Sequence, residues 1–245
     1  MRAPVIRLPL QHAYNVRDLG GYACPGGRQT NPQVFLRADN LSALDEADIQ
    51  YLLDYGLKTV IDLRSDEECL AQPNPFCQLT GVEYHQISLS ADGVADARRA
   101  YAENPGEYLG EYLPVYYRLV LDSCKAQFRA ILEIMAAQTE GCLLFHCLAG
   151  KDRTGMVAML LLSLAGVAPA DIVANYEVTF TYNSFHPLKD VFLAEIPMDL
   201  LVSKPEFMYR TLAFVHESYG GFGGYFAAIG LSSDTKQKIH ARFVV

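Results

Sequence analysis

The sequence predicts an α/β fold whose central, mainly parallel sheet has about four or five strands and is flanked by helices. The run 142–145 is short, apolar and continuous, which is typical of a central parallel strand covered on both faces. The segment 156–165 is apolar nearly all round and too short to cross a membrane, so it predicts a buried helix. Further strand-like runs at 34–36, 57–63 and 82–89 are separated by segments with helical spacing of apolar residues.

Capping residues indicate where two of these helices begin. Ser42 is a candidate N-cap for a helix over 44–53, because its hydroxyl can accept from a free backbone N–H of the first turn. Ser65 and Glu68 have the spacing of a capping box, so a second helix is predicted to begin directly after Ser65.

The most informative stretch of the chain links the strand at 142–145 to the helix at 156–165. It reads His146-Cys147-Leu148-Ala149-Gly150-Lys151-Asp152-Arg153-Thr154-Gly155. A loop at the carboxyl end of a parallel strand and before a helix N-terminus can turn its backbone N–H groups toward an anion. Gly150 supplies the backbone freedom that such a tight curve needs. The stretch therefore predicts a phosphate-binding loop lined by residues 146–151 and 154.

The side chains of this loop indicate nucleophilic chemistry on phosphorus. Cys147 lies where the field that holds phosphate also favours a thiolate, which is the reactive form of the side chain. The planar guanidinium of Arg153 can bind two phosphoryl oxygens, and Thr154 can donate its hydroxyl to the sulfur. His146 is expected to orient the loop through hydrogen bonds. The predicted reaction is attack by Cys147, a cysteinyl-phosphate intermediate, and hydrolysis by water.

The loop resembles the Cys-x5-Arg loop of the protein tyrosine phosphatase superfamily, and its full string is similar to that of the bacterial atypical branch. Further patches of the chain are similar to the same branch, at residues 15–21, 59–65, 219–221 and 228–231. The resemblance implies a phosphatase fold and activity on phosphotyrosine in proteins, with phosphoserine, phosphothreonine or phosphoinositides as further substrates.

The resemblance favours a bracing role for two further residues, and the charge of a third indicates a binding role. Arg17 and Asp18 are expected to brace the loop from below, and a surface salt bridge is the alternative. Lys151 is expected to add a second positive charge at the mouth, which would suit a multiply phosphorylated head group. The alternative for Lys151 is a solvated side chain with no specific contact.

The general acid that protonates the leaving group is left open among three aspartates. Asp152 lies within the loop, where the similar myotubularin-like lipid phosphatases also carry an aspartate, but it is also placed to cap the following helix. Asp62 lies at the carboxyl end of a neighbouring strand, where it could instead order a loop. Asp92 follows another strand and is the third candidate.

The composition gives no reason to divide the chain, so a single domain over residues 1–245 is predicted. Its 245 residues are 51% hydrophobic and 20% charged, which is ordinary for a globular protein with a sizeable core. A segment of about 94–121 predicts two helices inserted between strands, with breaks at Pro105-Gly106 and at Pro114. This segment is rich in tyrosine, and it is either a packing face or a lid over the loop.

Charge and cysteine content limit the partners. The net charge of −8 argues against a nucleic-acid partner and against purely electrostatic adhesion to anionic membranes, so no stable membrane anchor is expected. Six irregularly spaced cysteines predict no metal site, and the chemistry requires no cofactor. The N-terminal residues predict a cytoplasmic protein, or a secreted one if a signal has been removed. The oligomeric state is not predicted.

Two other functions are compatible with a cysteine followed by an arginine at this spacing. One is a rhodanese-like sulfurtransferase, and the other is a non-catalytic phosphate-binding module. The Arg-Thr-Gly helix start at 153–155 and the Asn-Val-Arg-Asp stretch at 15–18 argue against the sulfurtransferase, while the intact Cys147 and Arg153 argue against the module. A phosphomonoester hydrolase is therefore the leading prediction.

Overall fold

The computed structural model describes residues 6–90, 103, 110–195 and 197–245. The strands in this part of the chain are β1 (Ile6–Arg7), β2 (Arg17–Asp18), β3 (Ala23–Cys24), β4 (Arg28–Gln29), β5 (Phe35–Ala38), β6 (Leu57–Asp62), β7 (Glu83–Gln86) and β8 (Cys142–His146). The main sheet has the order β1-β2-β5-β8-β6-β7, and β3 pairs with β4 in a small separate sheet. The predicted α/β class is confirmed, but the main sheet has six strands.

The strand count exceeds the prediction because β1 and β2 are two residues long and show no periodicity in the sequence. These two strands pair antiparallel at one edge, whereas β5, β8, β6 and β7 are mutually parallel. In the centre of the sheet, Leu144 lies opposite Leu36 on one side and Val60 on the other. The sheet is therefore mainly parallel, with β8 as its central strand.

The central strand is covered on both faces, as its continuous apolar sequence predicts. All five residues of β8 are buried. Leu143 and Phe145 belong to the larger hydrophobic cluster, while Cys142 and Leu144 belong to the smaller one on the other face. Successive residues of a strand point to opposite faces, so each face of β8 contributes to a different half of the core.

Helices flank both faces. Their bounds are α1 (Glu46–Asp54), α2 (Asp66–Ala71), α3 (Tyr112–Ser123), α4 (Lys125–Ala137), α5 (Asp152–Leu164), α6 (Pro169–Asn183), α7 (Lys189–Glu195), α8 (Met198–Leu201), α9 (Pro205–Tyr219), α10 (Phe222–Ala228) and α11 (Ser233–Phe243), with short 3₁₀ turns at Pro25–Gly27 and Pro75–Gln78. Every residue from 154 to 162 of α5 is buried, which confirms the buried helix. Over the described residues, no helix combines the length and the apolar character that crossing a membrane requires.

One predicted helix boundary is confirmed, and two others differ from the prediction. The capping box of Ser65 and Glu68 is present at α2. The Ser42 cap is wrong, because Asp45 caps α1 by accepting from the backbone N–H of Asp48. Pro114 does not break the chain either, since it lies in the first turn of α3, where a missing N–H leaves no intrahelical bond unmade.

The inserted segment is described only in its second half. Residues 91–102 and 104–109, and with them Asp92, lie outside the described residues. The second of the two expected inserted helices is α3, which packs Tyr117 and Leu121 into the larger cluster. The single-domain organisation of the chain stays a prediction.

Candidate active site

The segment that links β8 to α5, residues 147–151, is here called the Cys147 loop. It starts at the carboxyl end of the central strand and leads into the N-terminus of α5. Neighbouring parallel strands end at the same edge of the sheet, so residues that follow β5 and β6 reach the loop from either side. Open α/β sheets bind their ligands at this kind of edge.

Hydrogen bonds from outside the loop hold three of its consecutive carbonyl groups. The donors are the backbone N–H of Asn40 to the Leu148 oxygen (2.8 Å), Asn15 Nδ2 to the Ala149 and Gly150 oxygens (3.0 and 3.2 Å), and Arg37 Nη2 to the Gly150 oxygen (2.6 Å). Two segments of the chain, one before β2 and one at the end of β5, therefore fix the direction of the loop's peptide groups.

The N–H groups of the same peptides are left without internal partners. Among the described residues, the backbone N–H groups of residues 148–151 donate to no acceptor in the protein. Successive N–H groups that converge from a tight loop form a concave anion site, and the dipole of α5 adds partial positive charge at its start. The backbone alone is therefore suited to hold a phosphoryl group.

Gly150 lets the loop approach the end of β5. Its φ of 63° lies in the left-handed region, and a Cβ at this position would come within 2.5 Å of the Ala38 oxygen and 2.7 Å of the Asp39 nitrogen. Any side chain would collide with backbone atoms that cannot rotate away. The structure confirms the backbone reason for a glycine in the loop.

Cys147 and Thr154 meet at the base of the loop. Cys147 is 2% exposed, and the hydroxyl of Thr154, in the first turn of α5, donates to its Sγ at 3.1 Å. A hydroxyl donor on the sulfur stabilises negative charge there, both before attack on a substrate and when the sulfur later leaves. The geometry agrees with the role that the sequence suggests for Thr154.

The carboxylate of Glu68 holds the guanidinium of Arg153 in place. The sequence predicts only a capping-box role for Glu68. Glu68 accepts from Arg153 Nη1 at 2.6 Å and Nη2 at 2.8 Å, and Nη1 also points to the Leu63 oxygen at 3.4 Å. A guanidinium has five N–H donors. Glu68 binds the end of the guanidinium through one hydrogen each of Nη1 and Nη2. The Nε–H and the second hydrogen of Nη2 form the side edge of the guanidinium and can bind a second oxyanion.

Glu68 and Arg153 stabilise each other's charged forms. Burial would lower the pKa of Arg153, but the hydrogen bonds and charge of the Glu68 carboxylate outweigh burial and raise it. Burial would likewise raise the pKa of Glu68, yet Arg153 holds it below its ordinary value. Glu68 also accepts from the Ser65 backbone N–H at 2.7 Å, so the capping box that starts α2 also positions the clamp.

His146 contacts the backbone of the nucleophile. Its Nδ1 lies 3.1 Å from the Cys147 oxygen, and because a carbonyl can only accept, Nδ1 carries the donated proton. Its Nε2 lies 2.8 Å from Asn74 Nδ2. The ring is completely buried, so His146 can orient the start of the loop but cannot reach solvent or substrate.

Asp62 lies behind His146 in a closed polar network. Its carboxylate accepts from Nε and Nη2 of Arg64 (2.6–3.1 Å), from Asn74 Nδ2 (3.2 Å) and from the Tyr84 hydroxyl (2.9 Å), and it lies 3.3 Å from His146 Nε2. The side chain has no exposed surface.

This network argues against Asp62 as the general acid. Burial would raise its pKa, but the contact with His146 and the hydrogen bonds and positive charge of Arg64 outweigh burial and hold the pKa far below its usual range. An acid must carry a proton near neutral pH and reach the leaving group. Asp62 does neither, and its contacts fit the alternative of ordering the strand end and His146.

Asp152 is at the mouth of the Cys147 loop and makes no helix-capping hydrogen bond. Its side chain is 25% exposed, and its Oδ1 accepts from the Tyr117 hydroxyl at 2.5 Å. Of the two candidate aspartates within the described residues, Asp152 is therefore the one that a substrate could contact.

Lys151 is not at the mouth of the loop, contrary to the expectation. Its side chain is 2% exposed, and Nζ donates to the backbone oxygens of Leu200 and Val202 (the latter at 3.2 Å). These carbonyls lie at the carboxyl end of α8, which favours a cation. The ammonium is thus engaged with the protein and is not offered to a second phosphate group.

Arg17 and Asp18 do not contact the loop, which corrects the bracing expectation. Arg17 donates to the Asn175 oxygen and the Thr179 hydroxyl of α6, and Asp18 accepts from the Gly20 and Gln33 backbone N–H groups and from the Tyr55 hydroxyl. The bracing residues are Asn15 and Arg37. Asn15 lies in the stretch 15–21 that resembles the phosphatases, whereas Arg37 lies within β5 and has no distinguishing spacing in the sequence.

Arg37 also brings positive charge beneath the loop. It is completely buried and donates to Asn175 Oδ1 at 2.5 Å and to the Gly150 oxygen. Burial lowers the pKa of Arg37 to about 10, which still leaves it charged at neutral pH.

The mouth of the loop has apolar and aromatic borders. Leu148 is 40% exposed. Tyr116 of α3 lies near Arg153 and the Cys147 loop, and burial raises its pKa. Asn183 at the end of α6 donates to the Ala149 oxygen at 3.1 Å, which brings that helix end to the rim.

The Cys147 loop contains no set of metal ligands. In the part of the chain that the structure describes, the one group of three side chains close enough to share a metal ion is His12, Asp45 and Asp48. Both oxygens of Asp48 already accept from backbone N–H groups of residues 11 and 12, and Asp45 caps α1. These contacts account for the group without an ion.

The fold and the site together define a Cys-x5-Arg phosphatase, and comparison with known proteins gives the family. The model of the tyrosine phosphatase family matches residues 8–245. A tyrosine-protein phosphatase of Nostoc commune is 34% identical over 221 residues, which are 85% of this chain and 74% of that protein. The triple specificity protein phosphatase PtpB of Mycobacterium tuberculosis is 25% identical over 271 residues, covering 94% of this chain and 96% of that protein.

The chain belongs to the tyrosine phosphatase family. It is an enzyme, a cysteine-based tyrosine phosphatase, and not the sulfurtransferase or the binding module. Among solved structures, TpbA of P. aeruginosa aligns with 86% of this chain and 96% of its own, at 15% identity and a TM-score of 0.44, a likeness too weak to support any argument.

The clamp on Arg153 predicts that Glu68→Gln reduces catalysis without unfolding the protein. A neutral amide removes the ion pair, so the guanidinium is no longer held, and kcat/KM for p-nitrophenyl phosphate should fall by roughly ten- to a hundredfold. Glu67→Gln, on the same helix and exposed, is the matched control and should retain activity. Equal activity of the two variants would show that the clamp is dispensable.

The network of Asp62 predicts a loss of stability that depends on pH. The pKa of Asp62 is lower in the folded than in the unfolded chain, where it is about 3.9, so its contribution is complete above about pH 5 and is lost as the pH falls. Asp62→Asn should lower the free energy of unfolding by about 3–5 kcal/mol at pH 7. The difference from wild type should shrink below about pH 4.

Urea unfolding at pH 7, 5, 4 and 3 measures the effect of Asp62→Asn, and the exposed Asp234→Asn is the control. The activity that remains should fall equally on p-nitrophenyl and phenyl phosphate. A selective loss on phenyl phosphate, the poorer leaving group, would restore Asp62 as the acid.

Proposed function

We propose that the protein hydrolyses phosphotyrosine in proteins through a cysteinyl-phosphate on Cys147, with Asp152 as general acid and Arg153 as the phosphate-binding side chain. The observation that carries this proposal is the Cys147 loop itself. Its N–H groups at 148–151 are unpaired within the described residues, and its sulfur accepts from Thr154. The remaining donor edge of Arg153 completes a site for a tetrahedral dianion.

Substrate binding uses donors that are fixed before the substrate arrives. The phosphoryl oxygens accept from the loop N–H groups and from Nε and Nη2 of Arg153. Glu68 prevents the guanidinium from turning, so little reorganisation is needed in the transition state. The equatorial oxygens then lie in a ring of donors above the Cys147 sulfur.

Two chemical steps follow from this arrangement. In the first, Cys147 Sγ forms the S–P bond as the P–O bond to the leaving group breaks, and the Asp152 carboxyl protonates the leaving oxygen. In the second, the Asp152 carboxylate takes a proton from a water molecule that attacks phosphorus, and the sulfur leaves as a thiolate. The Thr154 hydroxyl stabilises the sulfur anion at the start and at the end.

The rim of the site favours an aryl phosphate as substrate. Leu148, which is 40% exposed, offers apolar surface to a phenyl ring. Lys151 is engaged with the carbonyls of α8, so a second phosphate on an inositol ring would find no free ammonium there. The similarity to a protein named for triple specificity supports phosphoserine, phosphothreonine and phosphoinositides as weaker substrates.

The proposal is tested by comparing a phosphotyrosine peptide, its phosphoserine counterpart and a soluble phosphoinositide on one enzyme. We expect kcat/KM to be highest for the phosphotyrosine peptide. Cys147→Ser should lower activity on all three by about a thousandfold or more, because an alcohol is a far weaker nucleophile than a thiolate. A phosphoinositide preferred over the phosphotyrosine peptide would overturn the substrate assignment.

The role of Asp152 is tested by the leaving group. Asp152→Asn should lower kcat for phenyl phosphate by about a hundredfold or more, since general acid catalysis contributes factors of that size. Hydrolysis of p-nitrophenyl phosphate, whose leaving group needs no proton, should fall far less. A similar loss on both substrates would remove Asp152 from the acid role.

A further inference from the structure

Both protein contacts of the Asp152 carboxylate fall on one oxygen. Oδ1 accepts from the Tyr117 hydroxyl at 2.5 Å and lies 3.5 Å from Lys151 Nζ. Within the described ranges, Oδ2 accepts no hydrogen bond from the protein. The carboxylate is therefore asymmetric, with one bound oxygen and one that is free to meet a substrate.

The bound oxygen is at the end of a buried chain of hydroxyl groups. Tyr117 from α3 and Tyr176 from α6 are both essentially unexposed, and their hydroxyl oxygens lie 2.6 Å apart. An ionised carboxylate can only accept, so Tyr117 donates to Asp152 and Tyr176 donates to Tyr117. Burial, and then the charge of Asp152, raises the pKa of both tyrosines, so both remain protonated donors near neutral pH.

We propose that Tyr117 is a positioning residue for the general acid: it fixes Asp152 through Oδ1, so that Oδ2 carries the proton and delivers it to the leaving group. This inference rests on the function proposed above. A carboxyl group is a better acceptor at its carbonyl oxygen, so the Tyr117 hydroxyl also decides which oxygen of the neutral acid holds the proton. After transfer, the negative charge that forms on Asp152 is stabilised by the same hydrogen bond.

Three helices fix the acid in this arrangement. Asp152 is the first residue of α5, Tyr117 belongs to the inserted helix α3, and Tyr176 belongs to α6. The ring of Tyr176 also packs against the first turn of α5, where a Cβ on Gly155 would lie 3.2 Å from it. The tyrosine-rich insertion thus helps to position the general acid and also packs into the hydrophobic core.

The test is the dependence of rate on the leaving group in Tyr117→Phe, which keeps the ring and removes the hydroxyl. We expect kcat for phenyl phosphate to fall at least tenfold, and kcat for p-nitrophenyl phosphate to fall less than about threefold, because only the first needs the acid. Tyr225→Phe is the matched control, since it also loses a buried hydroxyl, bonded to the Leu121 oxygen at 2.9 Å, but lies away from the loop.

A double variant separates positioning from general damage to the core. If Tyr117 acts through Asp152, then Tyr117→Phe adds no further loss on phenyl phosphate in an Asp152→Asn background. Equal losses on both aryl phosphates, or a full additional loss in the double variant, would overturn the inference. A loss in Tyr225→Phe that is selective for phenyl phosphate would overturn the inference as well.

Tyr176→Phe keeps the inference testable if Tyr117→Phe does not fold, as judged by thermal unfolding. Tyr176→Phe leaves the hydrogen bond between Tyr117 and Asp152 in place but removes the hydroxyl that donates to Tyr117. We therefore expect a smaller loss of kcat, again selective for phenyl phosphate. No selectivity in this variant would overturn the inference. Failure of the proposed function gives a different result, because wild type and Cys147→Ser would then hydrolyse p-nitrophenyl phosphate equally slowly.

Discussion

The hydrogen bond from Arg37 to the Gly150 oxygen holds the Cys147 loop against the end of the sheet, and the rest of the site depends on that attachment. With its carbonyls bound outward, the loop has only N–H groups to present inward. The absence of a side chain at Gly150 permits the approach. A concentrated positive field is therefore built from neutral peptide groups, and Arg153, held by Glu68, adds the full positive charge of a side chain.

A field of this kind is costly to bury unless each charge has a partner, and the segment from the end of β6 into α2 supplies the partners. Glu68 neutralises Arg153, while Asp62 and Arg64 pair beside His146. Removing water from a charge costs several kcal/mol, which geometry and additional hydrogen bonds must offset. The segment from Asp62 to Glu68 thus provides two ion pairs, and both keep the site charged and rigid.

The sequence predicted the parts of the site that are close together along the chain. Cys147, Arg153 and Thr154 lie within eight residues, and the strand and helix around them follow from apolar patterning alone. The sequence did not predict Glu68 as a clamp or Tyr117 as a partner of Asp152, because these contacts join residues 85 and 35 positions apart. A capping box was the only sign of Glu68, and a tyrosine-rich helix was the only sign of Tyr117.

The sequence by itself determined the class of fold and the family of the enzyme, and it indicated Cys147 and Arg153 as the candidate nucleophile and phosphate-binding side chain. It could do so because a strand, a tight loop and a helix are local structures with local patterns. Only the tertiary structure decided that Asp152, and not Asp62, is the exposed carboxyl group. Likewise, only the tertiary structure showed that Lys151 does not lie at the mouth of the loop. Burial and hydrogen-bond partners control the charge and the reach of a side chain, and both are set by distant residues that packing brings together.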